Sequence, residues 1–282
     1  MTSTDYSGWK RGDPIGYIRQ DIPDFDIPAY QGERYSALVP DTLDLQERAE
    51  WAVSGLTSIT DPEADYEVYF RVRCHQSPAM MQQDYSDVAI QVKFMEALPL
   101  MRIISGSSLN IEVDRRWMEM GLRWIGPDGA PYMPLVGRPW ALVHAAWWDI
   151  EPEGDFYISP FPGGRLLSSL VLYAERGNEP KFLREGERMV DALSELAVDC
   201  GDFAYFSPSA HQAIKGRTSD PRHQYKHRGA NVNFITLGLV HLYRKSGYEP
   251  AINLADKLIK YTLNEIQYFG ENGTFVADHK VK

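Results

Sequence analysis

The feature that most constrains this chain is a nine-residue pattern that occurs twice, seventy positions apart. Leu172-Tyr-Ala-Glu-Arg-Gly-Asn-Glu-Pro180 and Leu242-Tyr-Arg-Lys-Ser-Gly-Tyr-Glu-Pro250 both read L-Y-x-x-x-G-x-E-P. In each copy the glycine falls where a helix would end in the left-handed region, and the proline falls in the first turn of the next helix. The match continues downstream. Phe182 to Phe206 aligns with Ile252 to Phe275, each an amphipathic helix that closes on a glycine-containing turn and an aromatic. A fainter earlier copy ends a helix at Leu100-Met-Arg-Ile-Ile-Ser-Gly106. It then runs a second helix from about Ile111 to Ile125 and closes on Gly126-Pro-Asp-Gly-Ala-Pro-Tyr132. A helical hairpin of this kind cannot bury its apolar face alone, so the copies are expected to stack.

The helices fall into two alternating types. Roughly Val88–Ser105, Gly164–Arg176 and Ala230–Ser246 are apolar nearly all round, whereas 42–59, 109–125, 180–198 and 250–268 are striped, with one charged face. The first striped helix, Asp41 to Ile59, has Asp41 or Thr42 as its expected N-cap. Its apolar set Leu45, Ala49, Ala52, Val53 and Leu56 follows the i, i+3/i+4 rule. A helix apolar on every side has to be buried, and a striped one covers it. The expected fold is therefore all-α: an α/α toroid of about seven main helices, with inner helices ringed by outer ones. Residues 1–40, rich in Pro, Gly and Tyr, read as an extended N-terminal arm on a toroid domain spanning 41–282.

Charge and composition exclude some partners. Net charge is −10, from 29 basic and 39 acidic residues, with no Lys/Arg-rich run, so no nucleic-acid partner is expected. No stretch approaches the roughly 20 apolar residues a membrane-spanning helix needs, and no membrane partner is expected. The opening MTSTDYSGWKRGDP lacks the apolar core of a signal peptide, which favours a cytoplasmic setting. Cys74 and Cys200 have no metal or redox spacing and are expected to be buried as small apolar side chains. No metal and no cofactor is expected.

The connections are unequal, and the chemistry is expected where they are long. Each link from an apolar helix to the striped helix after it is a few residues. The return links, Asp61–Ser86, Gly126–Gly163 and Gly201–Gly229, are far longer than connectors without a function tend to be. Six of the seven histidines, His75, His144, His211, His223, His227 and His279, lie in these links or their continuation, and only His241 sits inside a helix. All three links would lead to the amino-terminal ends of the inner helices. There the amide dipoles converge and favour anionic or hydroxyl-rich ligands.

Several constellations follow. Asp84 and Asp87 flank the start of the first inner helix, as general acid/base candidates or as N-cap and first-turn residues. His144-Ala-Ala-Trp147-Trp148-Asp149-Ile-Glu151 sets an imidazole, two indoles and two carboxylates within eight residues. Indoles are platforms for the apolar faces of sugar rings, and carboxylates bind the hydroxyl rim; the alternative is aromatic filling of the core under the arm. His211, His223 and His227, with Lys215, Arg217, Arg222, Lys226 and Arg228, make the third link locally basic. That suits a carboxylate-bearing sugar or a phosphate, or simply a solvated loop. Zinc is not expected at such spacings without a nearby Cys. Phe161-Pro-Gly-Gly-Arg165 opens a helix but lacks the Lys-Ser/Thr of a P-loop. Asn272-Gly-Thr274 reads as a turn, and there is no Gly-x-Ser-x-Gly elbow.

The inner/outer alternation and the repeated L-Y-x-x-x-G-x-E-P with its Gly–aromatic ending resemble the six-hairpin glycosidase superfamily, enzymes built on an (α/α)6 toroid. The resemblance covers about residues 40–282 and is architectural. It implies hydrolases of uronate- or arabinose-containing glycans, polysaccharide lyases or sugar epimerases, and transfers no catalytic residue. Seven helices make about three and a half hairpins of the six, so the chain resembles an N-terminal portion. A second copy or a longer chain is expected to complete the ring, since an open arc exposes an apolar edge.

The expected function is a carbohydrate-active protein, a glycoside hydrolase on a plant or microbial glycan. Asp84, Asp87, Asp149 and Glu151 would supply the paired carboxylates. His75, His144, Trp147, Trp148, His223, Tyr225, His227 and Arg228 would hold the carbohydrate, with His227 and Arg228 on a sugar carboxylate. The alternatives are a lyase or epimerase using His144, His223 and Tyr225 for proton abstraction, and a sugar-binding or scaffold half-toroid without turnover.

Overall fold

The structure is a computed structural model, and it describes residues 16–29, 43–68, 71–73, 80–82, 88–134, 156–158, 160–206, 229–266 and 269–274. The described chain is mostly helical: α1 (Leu45–Ser58), α2 (Val88–Ser105), α3 (Ile111–Trp124), α4 (Pro160–Gly177), α5 (Pro180–Leu196), α6 (Gly229–Ser246) and α7 (Glu249–Lys260). The last runs on into a π turn, Tyr261–Glu265. The all-α class thus holds, with four short antiparallel hairpins added. These pair β1 (Thr60–Asp61) with β2 (Glu67–Val68), β3 (Arg71–Arg73) with β4 (Met80–Gln82), β5 (Tyr132–Pro134) with β6 (Phe156–Ile158), and β7 (Val198–Asp199) with β8 (Ala204–Tyr205).

Local chemistry sets the helix ends. The first helix starts later than Asp41: Asp44 is its N-cap, and its carboxylate accepts from the N–H of Gln46 at 2.9 Å and of Glu47 at 3.2 Å. At the end of α2 the amide of Gly106, in the left-handed region at φ 65°, donates to Arg102 O at 2.7 Å. At the end of α6 the amide of Gly247, at φ 72°, donates in the same way to Tyr243 O at 2.8 Å. The flanking serines repeat as well. Ser105 Oγ donates to Met101 O and accepts from Ser107 N, and Ser246 Oγ donates to Leu242 O and accepts from Tyr248 N. At α4 the expected glycine is displaced by one place: Gly177 is the last helical residue and Asn178 takes the left-handed position, at φ 50°. Asparagine tolerates that region better than other side chains do.

The striped helices also end alike. Gly129, Gly201 and Gly273, at φ 85°, 85° and 76° and at intervals of 72 residues, each turn the chain after one of them. In Gly126–Ala130 and Gly270–Thr274 the first amide donates to the fifth carbonyl and the fourth amide to the first carbonyl. Asp128 in one turn and Asn272 in the other accept from the fifth amide through the side chain.

The apolar helices α2, α4 and α6 lie side by side with α4 in the middle. The seam between α4 and α6 is close because Gly238 faces Gly164: a Cβ built on Gly238 would stand 2.1 Å from Gly164 O. On one side of this row, α3 covers the α2–α4 seam, where Gly121 meets Met95 and Leu166. Helix α5 covers the α4–α6 seam, where Gly186 meets Leu167 and Leu242. Helix α7 packs on α6, and α1 on α2. Residues 16–29 hold neither helix nor strand and cross the covering helices. Arg19 pairs with Glu185 at 2.7 Å, and the rings of Phe25 and Phe182 lie 5.4 Å apart.

Two expectations about burial are corrected. On α2, Leu100, Ile103 and Ile104 are 40–44% exposed. All three lie in the last two turns of the helix. Cys200 is exposed, because it sits in the turn between β7 and β8 rather than under it; Cys74 lies outside the described residues.

One contact between helices makes stability depend on pH. The Tyr248 hydroxyl donates to Asp191 Oδ1 at 2.5 Å, and this bond, followed by partial burial, pushes the phenol up to about 12 from an ordinary 10.0. The group holds its proton longer in the folded chain. Its contribution is therefore complete below pH 10 and is lost as pH rises toward about 12. The contact is solvent-screened, worth about 0.5 kcal/mol or less. Urea unfolding of the wild type and Tyr248→Phe is expected to show that small difference at neutral pH and none near pH 12. A constant difference would mean that the phenol proton plays no part.

Candidate functional site

The helical period separates two faces of the row. On α4, Leu166, Leu167 and Tyr173 point to the covering helices, because they meet Gly121, Gly186 and Asp114. Phe161, Arg165, Ser168, Leu172 and Glu175 therefore lie on the opposite side. On α6, Leu242 meets Gly186, which puts Leu237, His241 and Arg244 on that same opposite side.

An open groove of about 260 Å³ lies there, near the carboxyl ends of the two helices, lined by Val171, Leu172, Glu175, His241, Arg244 and Lys245. Val171 and Leu172 are buried and form an apolar floor. Lys245 stands 3.7 Å from Glu175, an exposed pair of small worth. Arg244 is exposed and has no hydrogen-bond or ion-pair partner among the described residues. The negative end of the α6 dipole accounts for a base in the last turn. It does not account for two bases and an imidazole against one carboxylate. Further toward the amino-terminal ends of the helices, Arg165 forms an ion pair with Glu96 and so ties α4 to α2.

A second charged cluster is closed to solvent. Asp114 on α3 accepts from Arg102 Nε at 2.7 and 2.9 Å, from Arg176 Nη1 at 2.8 Å and from the Tyr173 hydroxyl at 2.9 Å. The side chains of Arg102 and Asp114 are fully buried, and Arg176 nearly so. Ser107 O, Asn110 O and Pro28 O accept the remaining guanidinium donors that are satisfied, while Arg176 Nε has no partner among the described residues. Burial first, then the charge of Asp114 and the bond to it, pushes the Tyr173 phenol well above its ordinary range. With its groups bound to one another and no access to solvent, the cluster is a clamp joining α2, α3, α4 and the 16–29 segment.

Asp84, Asp87, Asp149 and Glu151, and His75, His144, Trp147, Trp148, His223, Tyr225, His227 and Arg228, all lie outside the described residues. The ends of two of the segments that carry them are described. The pair Arg73↔Met80 closes the segment containing His75, and Pro134↔Phe156 closes the segment from His144 to Glu151. Strand β6 ends two residues before α4, so that link is delivered to the amino-terminal end of its helix. The groove is at the other end of the row. Its only sequence signal is the charge in the variable positions of L-Y-x-x-x-G, three and four residues beyond His241 and three beyond Leu172.

Among the described residues no helix is long and apolar enough to cross a membrane. Nor does any group of three or more His, Cys, Asp and Glu stand where it could hold a metal ion. Comparison with protein-family models, with curated proteins and with solved structures finds no match to this chain.

Proposed function

We propose that this chain forms an arc of an α/α toroid of the six-hairpin glycosidase type and hydrolyses a glycosidic bond in a glycan. The observation that carries the reading is the layering among the described residues: a row of three apolar helices, with striped helices seated over the seams on one side only. The similar turns at both ends of each hairpin support it, as does the return of the long second link to the start of α4 through β5 and β6. In this reading two carboxylates from Asp84, Asp87, Asp149 and Glu151 serve as acid and as base or nucleophile. Trp147 and Trp148 stack against the sugar, and His75, His144, His223, Tyr225, His227 and Arg228 bind its polar groups.

The test is turnover of a glycan panel that includes uronate-containing oligosaccharides, read both as new reducing ends and as the absorbance of an unsaturated product. Reducing ends without that absorbance are expected. Asp84→Asn, Asp87→Asn, Asp149→Asn and Glu151→Gln should include two variants with losses of about 100-fold or more, the usual scale for a lost general acid or base. An unsaturated product would move the chemistry to proton abstraction by His144, His223 or Tyr225. Binding without turnover would leave a sugar-binding protein.

A further inference from the structure

We infer that the groove between the carboxyl ends of α4 and α6 is a binding site for a small organic anion, one carboxylate or phosphate on a body of about one ring. The inference uses described residues only and stands apart from the proposed hydrolysis. Three observations converge. The groove is on the side of the helix row that carries none of the described covering helices, so its charged rim stays open to solvent. Its floor, Val171 and Leu172, is apolar and buried, able to take a ring face or an alkyl body. Among the described residues its rim holds Arg244, Lys245 and His241 against Glu175 alone, in a chain whose net charge is −10.

Arg244 decides the class of ligand. An exposed guanidinium without a partner among the described residues, beside an apolar floor, presents a planar fork that matches a carboxylate or phosphate in two parallel bonds. Lys245 is held at 3.7 Å by Glu175, loosely enough to turn toward an incoming anion. At about 260 Å³ the groove is just below the range of about 300–1,000 Å³ usual for small-molecule sites, which limits the occupant to a single ring rather than a chain of them. A neutral sugar would leave Arg244 unsatisfied, and a bare anion would leave the floor empty.

The experiment is calorimetric titration of the full chain with glucuronate, glucose 6-phosphate, inorganic phosphate and glucose. Binding of glucuronate or glucose 6-phosphate is expected, at least tenfold tighter than glucose or inorganic phosphate. The stronger of the two tells whether the anion is a carboxylate or a phosphate. Arg244→Ala should weaken that binding about tenfold, and Glu175→Gln should tighten it several-fold by freeing Lys245 and removing a like charge. Both positions are exposed, and circular dichroism of the two variants is expected to match the wild type. The inference is overturned if none of the organic anions binds at millimolar concentration, if glucose binds equally well, or if the two variants fail to move affinity in opposite directions. None of these readouts involves glycan turnover.

Discussion

Replacing Asp114 with asparagine is expected to lower the stability of this protein by about 3–5 kcal/mol, the cost of leaving buried charge without its partner. The side chain keeps its size, so no cavity enters. What changes is that two buried guanidiniums, Arg102 and Arg176, lose their shared carboxylate. The new amide also turns a donor toward donors. Tyr173, which gives its hydroxyl to Asp114 Oδ1 at 2.9 Å, competes for the one oxygen that remains. Since a domain is stable by only about 5–15 kcal/mol in all, such a loss is a large share of it. The measurement is the urea midpoint at neutral pH beside Arg176→Met. That second variant removes the surplus cation and leaves Arg102 and Asp114 one to one, so it should cost less, at most about 2 kcal/mol. Insoluble Asp114→Asn with soluble Arg176→Met agrees with the argument. A larger loss for Arg176→Met would show that the clamp holds the 16–29 segment through Pro28 more than it neutralises charge.

Asp114 also shows how far the sequence could be read. It stands with Trp117, Met118 and Gly121 on the apolar stripe of a helix whose other face carries Arg115, Arg116 and Glu119. An acid on a core face is a legible signal of a buried partner, but nothing local says that the partners come from α2 and α4. Breaks between helices were legible because glycine, asparagine and proline act within a few residues, as at Gly247 and Pro250. Even there the choice between neighbours was not: Gly177 and Asn178 both suit the left-handed position, and Asp41 and Asp44 both suit a cap. The hairpins β1–β2 and β7–β8 have strands of two residues, too short to show any period. The groove was hardly legible. Glu175 and Arg244 look like ordinary last-turn charges until the helices carrying them are set side by side, and it is Gly164 and Gly238 that allow this.

The same glycine-to-alanine change should therefore have opposite signs at two positions. At Gly238 the added Cβ would meet Gly164 O at 2.1 Å and Leu167 Cβ at 3.2 Å. The first is helix backbone, which cannot swing away as a side chain can. To restore van der Waals distance, α4 and α6 must part by about 1 Å, opening the seam along its length. Overpacking a core costs about 1–3 kcal/mol where side chains can give, so at least about 3 kcal/mol is expected here. At Gly55, within the exposed face of α1, nothing lies within 4 Å of the new Cβ. There alanine removes backbone freedom from the unfolded chain and should stabilise by about 0.5–1 kcal/mol. Thermal unfolding of the two variants checks both signs. Gly238→Ala carries a further consequence, because the floor and the rim of the groove are on different helices. Parting the seam moves His241 and Arg244 away from Leu172, so the variant should also lose affinity for the organic anion under conditions where it remains folded. Unchanged affinity would mean that Arg244 alone, rather than its distance from the α4 floor, sets the binding.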